Sequence, residues 1–313
     1  MPGEAQRVIE EFWRIQDGGD YTKLVDLFAE DAFLEDPIWG QYRGRDAILG
    51  FMTTMVKEMG TRKVHFTVDE ICGDDHAVWA RWTMHMDGHE PRGGVGIYKV
   101  EGGKITEEAM YFDLPHLMMQ AGLNPFPPQT ATHLVQPGPM THDGLLYDAQ
   151  PEAQGAATLA SINAMISDLG TWGLELPLEE ELARSWNDDM IWWGPAGIGA
   201  TYTIERYAKQ HSGPFRAAFT DRSKTNHICR LAEGNYGGFF GWPNFTAIHT
   251  GGFMGMPASD ERGEMRVIDI YRREGEKLSE NWIFIDLLHF WKGLGVDILS
   301  RTTQIPPKVL SDE

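Results

Sequence analysis

The stretch GGVGIYKVEGGKITEEAMYFDLPHLMMQAG, residues 93–122, recurs in the same chain as RVIDIYRREGEKLSENWIFIDLLHFWKGLG, residues 266–295. The two stretches align without a gap at an offset of 173 positions. Their ten identical pairs are Ile97/Ile270, Tyr98/Tyr271, Glu101/Glu274, Gly102/Gly275, Lys104/Lys277, Glu107/Glu280, Asp113/Asp286, Leu114/Leu287, His116/His289 and Gly122/Gly295. A match of this length indicates a tandem duplication in which each copy ends in a strand that leads into Asp-Leu-x-His.

The pattern upstream of the repeated stretch defines the fold class. Apolar residues at helical spacing predict helices at 4–16, 20–28 and 44–59, with a short strand at 31–37. From Lys63 onward the apolar residues alternate with a period of two. Val78 to Met86 is a clear alternating strand, and Asp87-Gly88 is a hairpin turn signal. Helices followed by an antiparallel meander predict an α+β fold.

The two copies are separated by a stretch without periodicity. Residues 123–157 contain six Pro together with several Gly, Gln and Thr, which predicts a linker on the surface. The predicted organisation is therefore a first domain at 1–122, the linker at 123–157, a second domain at 158–300 and a tail at 301–313.

Motifs in the second copy resemble a known family. Gly194–Gly199, His249–Pro257, Arg266–Arg272 and Lys277–Asp286 are similar to the SnoaL-like polyketide cyclases, which are also described as predicted ester cyclases. The first copy resembles only a generic SnoaL-like domain. The resemblance implies two cone-shaped domains of the nuclear transport factor 2-like fold. Each would be a curved antiparallel sheet packed on about three helices, with a pocket inside the cone.

Composition limits the partners and the compartment. The 46 acidic residues exceed the 27 basic ones and give a formal charge of −19, so nucleic acid and anionic membranes are not expected as partners. Only two Cys are present, which excludes a disulfide framework. The start of the chain predicts no signal peptide, and no apolar run is long enough to span a membrane. A cytoplasmic location is the resulting expectation.

The last strand of each copy supplies the leading catalytic candidate. Period two places Trp282, Phe284 and Asp286 on one face, and a carboxyl beside two aromatic rings should have a raised pKa. The resemblance implies that Asp286 is a general acid/base, with Asp113 as its counterpart in the first copy. Asp is also a favoured residue at the start of a helix, so capping is the alternative role for both residues.

Other residues are candidates for the same site. His249 lies in the His-Thr-Gly motif and could share protons with Asp286, or it could have a purely structural role. Seven of the eleven Trp lie after residue 170, and large aromatic rings often line a pocket, although core packing is the alternative. The substrate-binding candidates are Trp282, Phe284, Trp192, Trp193, Tyr236, Trp242 and His289. No metal site and no cofactor are predicted.

The resulting hypothesis is an enzyme of the cyclase, lyase or isomerase type that acts on a small hydrophobic or aromatic molecule through Asp. Two alternatives stay open: a non-catalytic binding or dimerisation module of the same fold, and a hydrolase. The first copy is expected to pack on the second as an intrachain pseudo-dimer, and a further homo-oligomer is left open. We expect the second copy to carry the chemistry.

Overall fold

The computed structural model describes residues 3–88, 91–126, 136–170, 176–223 and 226–304. It contains two units, each with one large mixed sheet packed on helices, and the predicted α+β class is confirmed. None of the helices in these ranges is long and apolar enough to cross a membrane.

The first unit begins with helices and continues as a meander. In α1 the apolar stripe with Ile9, Phe12 and Trp13 is buried, and the helix ends at Gly19, whose φ of 73° is left-handed. The elements are α1 (Glu4–Gly18), α2 (Tyr21–Val25), β1 (Phe28–Asp36), β2 (Gly40–Arg43), α3 (Arg45–Met59), β3 (Val64–Gly73), β4 (Ala77–Met86), β5 (Arg92–Glu101), β6 (Lys104–Phe112), α4 (Leu114–Gln120) and β7 (Leu123–Asn124).

The second unit repeats this plan, and the two central strands of its sheet are longer. Its elements are α5 (Glu152–Gly170), α6 (Leu178–Leu182), β8 (Trp186–Trp193), β9 (Ala200–Tyr202), α7 (Thr203–Tyr207), a π-helical turn (Ala208–Ser212), α8 (Gly213–Ala218), β10 (Phe219–Ser223), β11 (His227–Glu233), β12 (Tyr236–His249), β13 (Arg262–Glu274), β14 (Lys277–Ile285), α9 (Leu287–Gly293), a 3-10 turn (Leu299–Arg301) and β15 (Thr303–Gln304), which pairs with β7.

Both sheets share one topology. The first has the order β2-β1-β6-β5-β4-β3. The second, read from the equivalent edge, has the order β9-β8-β14-β13-β12-β10, with β11 also paired to β12. The sheets are not purely antiparallel as predicted, because β1 runs parallel to β6 and β8 runs parallel to β14. Sequence alternation reports which residues share a face and carries no information about strand direction.

The two sheets pack against each other through the faces that point away from their own helices. The Tyr111 hydroxyl of the first unit donates to the Ile285 carbonyl of the second at 2.8 Å, and the Tyr111 and Phe284 rings are 6.0 Å apart. Buried side chains from both units form this shared core: Cys72, Ala77, Trp79, Val95, Ile97, Ala109, Tyr111, Leu146, Trp193, Ala200, Leu231, Tyr236, Phe240, Ile268, Ile270, Trp282 and Phe284.

The connecting segment is less superficial than predicted. The buried Gln136 side chain donates to the carbonyls of Trp193 and Ile283, and Leu146 pairs by its backbone with Ile71 at the edge of β3. Helix α5 begins at Glu152, which is inside the range 123–157 predicted as linker. Residues 127–135 of that range lie outside the described residues. The described part connects both units through backbone and side-chain hydrogen bonds, which composition alone does not indicate.

Candidate active site

A cavity of about 140 Å³ lies inside the second cone, between the concave face of its sheet and helices α5, α7 and α8. Its walls are mainly aromatic and aliphatic. The lining residues include Met165, Leu169, Trp186, Trp192, Tyr207, His211, Phe215, Arg216, Arg222, Phe239, Phe245, Asp269, Tyr271, Asn281, Ile283 and Ile285. An apolar cavity with a few polar groups is the usual form of a small-molecule site.

Asp269 on β13 is the acidic group in this cavity. Its carboxylate accepts a hydrogen bond from the Asn281 amide on the neighbouring strand β14. Only 7% of Asp269 is exposed, and burial raises the pKa of its carboxyl to about 7. A carboxyl with this pKa can both accept and return a proton at neutral pH.

His211 provides a second polar group in the cavity. It lies in the π-helical turn, and its ring stacks on Trp192 with 4.0 Å between the ring centroids. Burial lowers the pKa of His211 to about 3, so the imidazole is neutral at physiological pH. Among the described residues, no hydrogen-bond partner contacts its Nδ1 atom. A neutral imidazole with an unused ring nitrogen can hydrogen-bond a substrate oxygen.

The two arginines that line the cavity already have partners. Arg216 forms a bidentate ion pair with Glu181, and Arg222 donates to the Leu169 carbonyl and lies over the Phe245 ring. Burial is the main cause that lowers the pKa of Arg222, to about 10. The cavity therefore suits a neutral ligand better than an anion.

The predicted residues Trp282 and Phe284 lie on the opposite face of β14 from this cavity. Cavity-lining Asn281, Ile283 and Ile285 alternate with them. Trp282 Nε1 donates to the Pro137 carbonyl at 2.8 Å, and Phe284 belongs to the core between the units. Trp282 and Phe284, predicted as substrate-binding residues, therefore do not line this cavity. Both faces of β14 are buried, so periodicity cannot identify the concave one.

Asp286 and Asp113 both cap helices. The Oδ1 atom of Asp286 accepts from the His289 backbone N–H at 3.1 Å, and that of Asp113 accepts from the His116 N–H at the same distance. Asp113 also accepts from the Ala196 N–H of the second unit, at 2.7 Å. Burial raises the pKa of both carboxyls. Asp286 borders an open cleft of about 640 Å³ between the units instead of the cone cavity.

His249 is fully buried in an aromatic cluster. Its Nδ1 atom lies 3.3 Å from Ser259 Oγ, and its ring centroid lies 5.3 Å from those of Phe219 and Trp291. Burial lowers its pKa, and the acidic group that opposes this effect is Asp260, not Asp286. The expected proton sharing between His249 and Asp286 has no support in these contacts.

The remaining predicted residues fall in three places. Trp192 lines the cavity of the second cone. Trp193, Tyr236 and Trp242 pack in or against the core between the units, where the Tyr236 hydroxyl donates to Asp143 and Trp242 Nε1 donates to Glu35. His289 lines the open cleft, with its Nε2 atom 3.3 Å from Glu264. Trp192 is thus the one residue of this group that lines the cavity of the second cone; the others lie in the core between the units or in the open cleft.

Sequence reasoning missed Asp269, Asn281 and His211. A signal for the first two was present in the repeat, because Asp269 aligns with Gly96 and Asn281 aligns with Glu108 at the offset of 173. The acidic residue thus changes position between the copies. His211 had no sequence signal, since its stacking partner Trp192 comes from a distant strand.

Comparison with known proteins agrees with the two-unit fold. Residues 9–108 match the model of the SnoaL-like domain, and residues 210–294 match that of the SnoaL-like polyketide cyclase. The chain belongs to the SnoaL-like proteins, with one matched SnoaL-like domain in each half. The predicted resemblance is confirmed. No curated protein matches the chain significantly.

Solved structures that are similar to the chain each cover about a third of it. A LEH-like epoxide hydrolase from Mycobacterium tuberculosis is 22% identical, with a TM-score of 0.33, over 37% of this chain and 88% of its own. A polyketide cyclase candidate from Xanthomonas campestris is 18% identical, with a TM-score of 0.33, over 37% and 96%. A ketosteroid isomerase candidate from Kribbella flavida is 18% identical, with a TM-score of 0.31, over 35% and 77%.

The described residues contain no group of three or more His, Cys, Asp or Glu side chains placed to hold a metal ion.

Proposed function

We propose that the second cone is the active site of an enzyme that acts on a small hydrophobic or aromatic molecule by general acid–base catalysis, of the cyclase, lyase or isomerase type. The observation that carries the proposal is Asp269, a buried carboxyl with a pKa of about 7 in the wall of a largely aromatic cavity. The catalytic role expected for Asp286 passes to Asp269. In this proposal Asp286 and Asp113 are helix caps, and the first unit covers the outer face of the second sheet as the other half of a pseudo-dimer.

The cavity residues provide the parts of one proton-transfer sequence. Asp269 as carboxylate takes a proton from the carbon next to a substrate carbonyl, and the C–H electron pair moves into an enolate. His211, with hydrogen on Nδ1, donates a hydrogen bond to the enolate oxygen. The proton then returns from Asp269 to another carbon in an isomerisation, or to the alkoxide formed when the enolate carbon attacks a second carbonyl of the same molecule. The Asn281 amide holds the carboxylate in place through its hydrogen bond.

The cavity volume limits the substrate. An apolar cavity of about 150 Å³ accommodates one benzene ring, and the cavity measures about 140 Å³. A single-ring ketone therefore fits the cone, whereas a fused multi-ring polyketide does not fit without opening of the helical wall.

The test measures proton abstraction directly. Small ring ketones such as cyclohexanone are incubated with the protein in D₂O, and replacement of the hydrogen next to the carbonyl is followed by NMR. We expect Asp269→Asn to slow exchange by about 10²–10⁴-fold, the usual contribution of a general base. Asp286→Asn is the matched control and should exchange at the wild-type rate.

The proposal also predicts how the rate of hydrogen exchange changes with pH. Only the ionised carboxylate accepts a proton, so the exchange rate should rise with pH, with a midpoint near the Asp269 pKa of about 7. Thermal unfolding of both variants confirms that they are folded. Wild-type exchange by Asp269→Asn, or a loss of exchange in Asp286→Asn instead, would contradict the proposal. Ketone binding without exchange that depends on Asp269 would favour the binding-module alternative.

A further inference from the structure

The first cone encloses a second cavity, of about 150 Å³. It lies between the concave face of the first sheet and helices α1, α2 and α3. Its lining is rich in aromatic residues and Met: Phe12, Trp13, Tyr21, Trp39, Phe51, Met52, Met55, Met59, Phe66, Trp82, Met84, Tyr98, Met110 and Phe112. The polar residues in the lining are Gln16, Asp36, Arg92 and Glu108.

Glu108 is the most unusual group in this cavity. It lies on β6 opposite Tyr98 of β5, it is fully buried, and neither carboxyl oxygen has a hydrogen-bond partner among the described residues. Burial and the nearby charge of Asp36 raise the pKa of Glu108 to about 8. An unpaired buried polar group costs about 1–3 kcal/mol. A ligand that pairs with Glu108 would remove this cost.

Two other charged residues, Asp36 and Arg92, line the same cavity as Glu108. Asp36 on β1 already accepts hydrogen bonds from the backbone N–H groups of Ile38 and Trp39. Arg92 on β5 lines the same cavity, burial lowers its pKa, and among the described residues its Nε atom has no hydrogen-bond partner.

We propose that the first cone is a binding site for a small aromatic amine, with the protonated amino group paired to Glu108 and the ring held among the aromatic side chains. The faces of Trp13, Trp82 and Tyr98 lie within the same cluster and can attract an ammonium group. The cavity volume of about 150 Å³ limits the ring part to a single ring. This site uses none of the residues of the second cone and does not depend on its proposed function.

Binding is coupled to one proton. At neutral pH the Glu108 carboxyl is mostly protonated, and the arriving ammonium group replaces that proton in the cavity, so the proton is released to solvent. Affinity should rise as pH increases through about 8, because less work is then needed to ionise Glu108. A primary amine remains protonated over this range.

Isothermal titration calorimetry with 2-phenylethylamine tests the proposal, and neutral 2-phenylethanol is the matched ligand. Titrations in two buffers with different ionisation enthalpies give the number of protons released. At pH 7 we expect release of about one proton with the amine and none with the alcohol, and at least tenfold tighter binding of the amine.

Two variants localise the effect. Glu108→Gln should weaken amine binding at least tenfold and abolish proton release while alcohol binding stays unchanged. Glu107→Gln, which removes a half-exposed partner of Lys99 on the same strand, should bind as wild type does. Unchanged alcohol binding by Glu108→Gln also shows that the cavity is intact. Equal affinity for amine and alcohol, no proton release, or unchanged amine binding by Glu108→Gln would overturn the proposal.

Discussion

The two cones share a scaffold and differ in where the acid lies. Tyr98 and Tyr271 occupy equivalent positions, but the residue opposite them is Glu108 in the first cone and Asn281 in the second. In the second cone the acid lies one strand away, at Asp269, where the first has Gly96. A Cβ atom at Gly96 would lie 2.8 Å from the Tyr98 hydroxyl, so the tyrosine fills the space that an acid would need. Duplication thus kept the architecture and allowed two chemically different cavities.

Moving the acid of the second cone into the first should have the largest effect on stability. We expect Gly96→Asp to reduce the free energy of unfolding by about 3 kcal/mol, because the side chain crowds Tyr98 and adds a third carboxyl to those of Glu108 and Asp36. Adding Glu108→Asn recreates the pair found in the second cone and should recover at least about 1 kcal/mol.

Urea unfolding measures both variants, with Gly96→Ala as the control that separates crowding from charge. Two results would contradict this explanation of the difference between the cones. One is a Gly96→Asp variant as stable as wild type, and the other is a further loss of stability when Glu108→Asn is added to Gly96→Asp.

The helix caps at the strand ends provide a smaller contrast. Asp286→Ala removes one hydrogen bond to a helix N-terminus, which costs about 1 kcal/mol. Asp113→Ala also leaves the buried Ala196 N–H without its acceptor, which adds about 1–3 kcal/mol. Asp113→Ala should therefore be the less stable variant in urea unfolding. The reverse order would mean that Asp286 has a structural partner beyond its cap.

The fold was predictable because it depends on residues that the two copies share. Identical turn glycines, strand periodicity and the Asp-Leu-x-His endings were enough to identify two SnoaL-like units. The site depends instead on residues that differ between the copies, such as Asp269 against Gly96. Comparing the acidic positions of the repeat would have found it.

Other features of the site could not be obtained from sequence. Strand β14 is buried on both faces, so alternation gives two sets of residues and no means to choose the concave set. Trp282 looked like a pocket residue because it is large and aromatic, but its contacts with Arg81 and Pro137 come from distant parts of the chain. His211 acquires its low pKa from helical packing around the cavity.

Both cones contain an acid with a raised pKa, so the stability of the folded protein should depend on pH through these two groups. For Asp269 and Glu108 the folded-state pKa lies above that of the unfolded chain. The stabilisation associated with the protonated forms is therefore complete below about pH 4, near the unfolded values. It is lost as pH rises through about 7 for Asp269 and about 8 for Glu108.

The most direct test is a pH titration of the side-chain carboxyl ¹³C signals, with Asp269→Asn and Glu108→Gln used for assignment. The signal missing in Asp269→Asn should titrate with a midpoint near pH 7, and the signal missing in Glu108→Gln should titrate near pH 8. A midpoint for Asp269 near 4, the ordinary value for this side chain, would remove the acid/base from the second cone and contradict the account.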